Sequence, residues 1–283
     1  MFNLEPRGPY RLGRPPLAQA LAQVRFPLVA RLQTLEGIAP IQDRMTSSLP
    51  YMEQKQMTEM AVMVGPAGAS DPQVGTSTTW EFTNGEGIVL SLSAGIATLS
   101  AGANYPGRHA FGGLFGEVLE ALSSEAHITR CDRVGARYLS VVESPPTGDR
   151  LWTSWFRPEV TGWMGAGVLS DNTAVLNSLT QTALAASAAE TLEMDSVSGD
   201  VQGIIRHGLV QQGSLIPGVP PVTLETESFI LDLDMFLLSA QPFEPSSLVE
   251  EFRQLHSQLD RFFRWSLTPE GEQEFELEEL EAE

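Results

Sequence analysis

The run "TSTTWEFTNGEGIVLSLSAGIATLSA", Thr76 to Ala101, constrains this chain more than any other stretch. Trp80 and Phe82 alternate with polar neighbours, Asn84-Gly85 is a strong turn dipeptide, and Ile88 to Ser93 resumes the ladder. Ser93-Ala94-Gly95 turns the chain again into Ile96 to Ala101, which reads as a β-meander. Then the period changes. In "RHAFGGLFGEVLEALSSEA" the apolar positions are Phe111, Leu114, Phe115, Val118, Leu119 and Leu122, one face of a helix. Gly112, Gly113 and Gly116 each cost about 1 kcal/mol relative to Ala in a helix. Their presence predicts a helix lying very close to the sheet.

The same succession recurs near the C-terminus. "IATLSAGANYP" leads into the first long helix and "DMFLLSAQPFEP" into the last, each a strand ending in Leu-Ser-Ala followed by an aromatic and proline linker. The last helix is expected from Ser247, with Ser247-x-x-Glu250 as a capping box. Leu248, Phe252, Leu255, Leu259, Phe262 and Ser266 form its inner side, broadened by Phe263. These patterns predict an α+β protein of antiparallel β-meanders with amphipathic helices packed on one face, arranged as two related halves. The expected boundaries are an irregular N-terminal arm over 1–16, a first half over 17–143, a Trp-rich connection over 144–172, a second half over 173–268 and an acidic tail over 269–283. Further strands are expected at "LAQALAQVRFP", "MTEMAVMVG" and "DRVGARYLSVVE", and a weak helix around Asp43 to Tyr51.

At 283 residues and 42% hydrophobic content the chain can bury one large core or two ordinary ones. Its net charge of -19 argues against a nucleic-acid-binding surface of ordinary kind. The sixteen residues "TPEGEQEFELEELEAE" hold eight glutamates and no base, leaving 28 acids against 17 bases elsewhere. Such a tail reads first as solvated, with capture of a basic partner as the other reading. The single Cys131 excludes an internal disulfide framework, and no apolar run is long enough to span a membrane. A cytoplasmic protein is the expectation.

Catalytic signatures are missing. Lys55 is the only lysine, which excludes a P-loop, and there is no H-E-x-x-H, zinc spacing or G-x-S-x-G elbow. No motif implies a metal or a cofactor. His109, His127, His207 and His256 are scattered, and His127 falls at a helix end where the dipole favours a cation. One feature stands out: "SFILDLDMFLLS" sets Asp232 and Asp234 on the same face of an apolar strand. Two carboxylates are too few to hold a metal alone. Arg133 and Arg137, which share a strand face, and Arg25 are the candidate partners for fork-shaped ion pairs. A ligand pocket and a catalytic site remain open alternatives. Trp152, Trp155, Phe156 and Trp163 form an aromatic cluster fit to anchor an interface, or to cover the seam between the halves.

Several of these motifs, taken in order, resemble a known family: the sporadically distributed bacterial proteins grouped by a TIGR model, a family with no functional name. The similar pieces are "PPLAQALAQVRFP", "WEFTNGEGIVLSLS", "NYPGRHAFGGLF", "RVGARYLSVVE", and "LDLDMF" followed by "LHSQLDRFF". They span roughly residues 15 to 268, with nothing matched over 144 to 225. The resemblance implies no catalytic residue, substrate or cofactor. It implies a patchy distribution like that of genes on mobile elements and in defence islands. The resulting expectation is a non-enzymatic binding or regulatory protein acting through a protein partner or self-association. An enzyme or small-ligand binder built on Asp232, Asp234 and arginines, and a self-assembling structural component, are the alternatives.

Overall fold

The computed structural model describes residues 4, 8–61, 64–65, 68–69, 73–143, 152–165, 167–170, 173, 175–188 and 199–280. In chain order they form β1 (Tyr10–Leu12), β2 (Leu17–Arg25), α1 (Leu35–Met45), β3 (Tyr51–Ala61), β4 (Val64–Gly65), β5 (Gly68–Ala69), β6 (Gln73–Thr83), β7 (Ile88–Leu92), β8 (Ile96–Ala101), α2 (Arg108–Ala126) and β9 (Arg130–Val142). There follow α3 (Trp152–Trp155), α4 (Pro158–Thr161), β10 (Ser178–Ser187), β11 (Asp200–Val210), β12 (Leu215–Ile216), β13 (Val222–Thr223), β14 (Ser228–Pro242), α5 (Pro245–Ser266), α6 (Pro269–Glu274) and β15 (Leu277–Glu279). Nine strands form an antiparallel sheet in the order β10-β11-β14-β9-β2-β8-β7-β6-β3. The fold is α+β, as the change of period predicts.

The chain divides into two compact units, one of Met1–Ala22, Val134–Ser239 and Glu250–Glu283, the other of Gln23–Arg133 and Ala240–Val249. The connection expected over 144–172 therefore falls inside the first unit, with its residues 144–151, 166 and 171–172 outside the described ones.

In the second unit the meander is where the alternation puts it. Asn84 Oδ1 accepts from the backbone N–H groups of Glu86 and Ile88 at 2.8 and 3.2 Å, and Gly85 takes φ +77°, a conformation open to glycine. Trp80 and Phe82 are fully buried, and the Trp80 indole donates to the Leu32 carbonyl at 2.7 Å. Helix α2 buries Phe111, Phe115, Val118, Leu119 and Leu122 of the stripe read from the sequence, with Leu114 half-buried. Two of its glycines, Gly113 and Gly116, need a different account. A Cβ at Gly113 would meet nothing within 4 Å, and one at Gly116 would lie 3.4 Å from Val249 on α5, so the close neighbour recorded there is a helix. The helix ends at His127, which adopts the left-handed conformation of a C-cap. The weak helix expected around Asp43 lies earlier, as α1. Thr34 caps it by accepting from the Gly37 N–H at 3.1 Å, and Pro40 sits inside it.

In the first unit β10, β11 and β14 pair antiparallel, with Gln181 opposite Arg206 and Arg206 opposite Asp232. Leu139, Val141, Val210, Ile216, Leu224 and Ile230 form one buried cluster. Phe156 is buried against Phe229 at 4.6 Å between ring centroids, nearly parallel, with Phe275 at 6.1 Å. Helix α5 starts at Pro245, two residues before the expected cap, because proline suits a first helical position; the Leu248 N–H bonds back to the Glu244 carbonyl at 3.0 Å.

Two expectations about the chain ends are corrected. The N-terminal arm is not wholly irregular, and the acidic tail is not wholly solvated: β1 pairs with β15, and Pro269–Glu274 is helical. Arginines supply the reason. Arg11 meets Glu278 at 2.9 Å, Arg14 meets Glu274 at 3.1 Å, and the buried Arg264 meets Glu279. Helix α6 is capped by Thr268 and docks so tightly that a Cβ on Gly271 would lie 2.1 Å from the Trp155 carbonyl oxygen.

Candidate functional site

Strand β14 is buried on both sides from Ser228 to Leu233, and Asp232 is 1% exposed within it. A carboxylate so placed is costly unless its charge is met. Arg137 of β9 meets it as a fork, Nε donating to Oδ1 at 2.6 Å and Nη2 to Oδ2 at 2.9 Å. Arg206 of β11 adds a third bond, Nη1 to Oδ2 at 2.9 Å. Both carboxylate oxygens are thus engaged by charge-assisted donors. Arg206 in turn donates from Nε to Gln181 of β10 at 2.7 Å. The result is a polar ladder across four strands, Gln181, Arg206, Asp232 and Arg137. Slipping any of these strands by one residue would turn its member to the opposite face, so the ladder fixes register.

The Arg137 guanidinium pays desolvation, which lowers its pKa, yet the hydrogen bond to Asp232 and the charges of Asp232 and Asp234 outweigh that and raise it. Asp234, two residues on, is half-buried. Of the other candidate cations, Arg25 donates to Gln23 Oε1 at 3.1 Å and Arg133 donates to the same atom. The structure therefore brings Asp232 together with one of the three arginines expected from the sequence and with Arg206, which sequence reasoning missed. A signal for Arg206 existed. Pairing the runs "VQGIIRHGLV" and "SFILDLDMFLL" end to end sets Arg206 across from Asp232.

The aromatic cluster separates. Trp152, Trp155 and Phe156 are buried, whereas Trp163 is 64% exposed. Among the described residues no group of three or more His, Cys, Asp or Glu is placed to hold a metal ion. Cys131 is buried. No helix among them is long and apolar enough to cross a membrane.

A second polar cluster joins the chain ends. The Tyr10 hydroxyl donates to Asp260 Oδ1 at 2.8 Å, and the Arg264 guanidinium lies 5.0 Å from the Tyr10 ring while donating to the Gly8 carbonyl at 3.0 Å. Burial first, then the Asp260 charge and hydrogen bond, raise the Tyr10 pKa far above that of free tyrosine. A cleft of about 190 Å³ opens here, lined by Leu4, Gly8, Tyr10, Asp260, Arg264 and Trp265 among others.

His207 is 9% exposed, and burial lowers its pKa despite a hydrogen bond with the Val160 backbone. Its neutral form is the one the fold accepts. The unfolded chain takes up the proton near its ordinary pKa of about 6.5, while the folded chain does not. Stability is therefore complete above that value and is lost as pH falls towards the lowered folded pKa. Thermal melts between about pH 7 and about pH 5.5 should show a steeper decline for the native chain than for His207→Gln. Parallel declines would remove His207 from the account.

No protein-family model matches the chain, and no curated protein matches it. The family resemblance rests on its motifs alone.

Proposed function

We propose that the chain is a non-enzymatic binding or regulatory protein that works through protein contacts. One observation carries this reading. Among the described residues, strand β10, "SLTQTALAAS", lies at one edge of the nine-stranded sheet, ten residues long and without a charge, proline or glycine. An edge strand offers a row of backbone donors and acceptors, and soluble proteins ordinarily guard it with charges, prolines, bulges or brevity. The opposite edge, β3, carries Glu53 and Lys55 in the half whose side chains are described. Exposed Leu179, at 51%, lies at the start of β10, and Leu176, at 70%, lies two residues before it. An unguarded edge of this kind suits β-strand addition, in which backbone bonds supply the affinity.

The rival reading, an enzyme or ligand binder built on Asp232 and Asp234, draws less support because both oxygens of Asp232 are already engaged by arginines. The patchy distribution implied by the family resemblance is what supports a bacterial defence or mobile-element system as its setting under this proposal. The test is affinity capture with the tagged full chain from extract of its source cells at moderate salt, beside a variant carrying Thr182→Lys and Ala183→Lys on the exposed middle of β10. A stoichiometric protein, either another chain or untagged native copies, held by the native strand and lost with the variant, supports the reading. Capture that is absent, or indifferent to the substitutions, would sink it.

A further inference from the structure

We infer that β10 pairs antiparallel with the β10 of a second copy of this chain across a two-fold axis, extending the sheet edge to edge. This rests on the protein-contact reading and names its partner. Seven of the ten β10 residues are exposed, and none carries a charge. The whole chain bears a net charge of -19, so two copies repel wherever their acidic surfaces approach. The strand itself adds nothing to that repulsion, because Ser, Thr, Gln, Ala and Leu are all it presents, and the exposed acid opposite it on β11, Asp200, lies at its far end against Ser187. A basic partner peptide would gain nothing from such a strand, whereas an identical neutral strand loses nothing. Two-fold pairing is also self-complementary for an antiparallel edge, since whatever residue i meets on the copy meets i in return. A full-length pair forms about ten ladder bonds.

The guarded β3 edge sets the size of the assembly. With one open edge and one charged edge, the pairing closes at two copies and does not propagate into a filament. The ladder from Asp232 through Arg206 to Gln181 holds β10 in register on its inner side, so the edge is presented as a fixed template.

Size-exclusion chromatography with light scattering on the full chain should give twice the 30.8 kDa protomer mass. The variant Thr182→Lys with Ala183→Lys places like charges near the axis and should run at the protomer mass while keeping the native circular-dichroism spectrum, with a melting temperature lowered only by the lost association. So should Thr182→Glu with Ala183→Glu. Mixing the two variants should restore the doubled mass, because opposite charges then face each other across the axis. A native chain at protomer mass overturns the inference, as does a dimer that survives either double substitution. If the native chain is a monomer but loses a captured partner on the lysine substitutions, this inference fails while the protein-contact reading stands. If nothing depends on the edge, both fall.

Discussion

Asp232→Ala is expected to lower the free energy of unfolding by about 3–5 kcal/mol, a shift read directly from the midpoint of a urea melt. The substitution removes the one anion shown between Arg137 and Arg206 and leaves two guanidinium groups facing each other across β14. The lower end of the range is the better expectation, because the two arginines keep 16% and 29% of their side-chain exposure and water can reach them. The loss measures the charges left behind rather than the worth of the network. A triple replacement, Asp232→Leu with Arg137→Met and Arg206→Met, should therefore recover most of the stability, as apolar groups of similar volume do when they replace a whole buried ion network. What the triple variant should lose is strand register, visible as broadened or doubled backbone amide resonances for β10, β11 and β14. An unchanged midpoint for Asp232→Asn, which keeps shape and removes charge, would overturn the structural role and return Asp232 to ligand or catalytic chemistry.

The parts of this fold that were legible in the sequence are those where one element announces itself. The alternation around Trp80 and Phe82, the Asn84-Gly85 turn and the stripe of α2 each follow from local period, and each reappears in the structure. What was not legible depended on partners distant in the chain. The glutamates of the tail read as a solvated charge run until Arg11 and Arg14, more than 250 residues away, are seen to meet them. Helix α1 hid behind Pro40, a residue that argues against a helix interior, while its cap at Thr34 is a weak signal taken alone. The candidate ladder was half visible: the carboxylate, one arginine and the face they share were read from alternation, but choosing Arg206 required the register of β11 on β14. The β10 edge was invisible for a related reason, since no sequence pattern says which of the described strands stands last in the sheet order.

Phe156→Ala is expected to cost about 3–5 kcal/mol, whereas Trp163→Ala, a few residues away, should move stability by no more than about 0.5 kcal/mol. The contrast separates the two roles read for this one cluster. Phe156 is wholly buried, stacks on Phe229, neighbours Phe275, and its backbone bridges to Leu267. Truncating it opens a cavity between three elements that cannot all move to fill it, so the lost transfer energy and the cavity add. Trp152 and Trp155, each 7% exposed, belong to the same packing, and Trp155 meets Phe275 edge-on at 6.2 Å. None of these three can anchor a partner while the fold is intact. Trp163 can: an indole at 64% exposure keeps most of its apolar surface in water, and covering it is where a partner gains. Binding measured after Trp163→Ala, with the melting temperature as control, should fall without loss of fold if the partner surface reaches beyond β10. Binding that survives confines the contact to the strand edge, and a large stability loss would show that Trp163 is buried in solution.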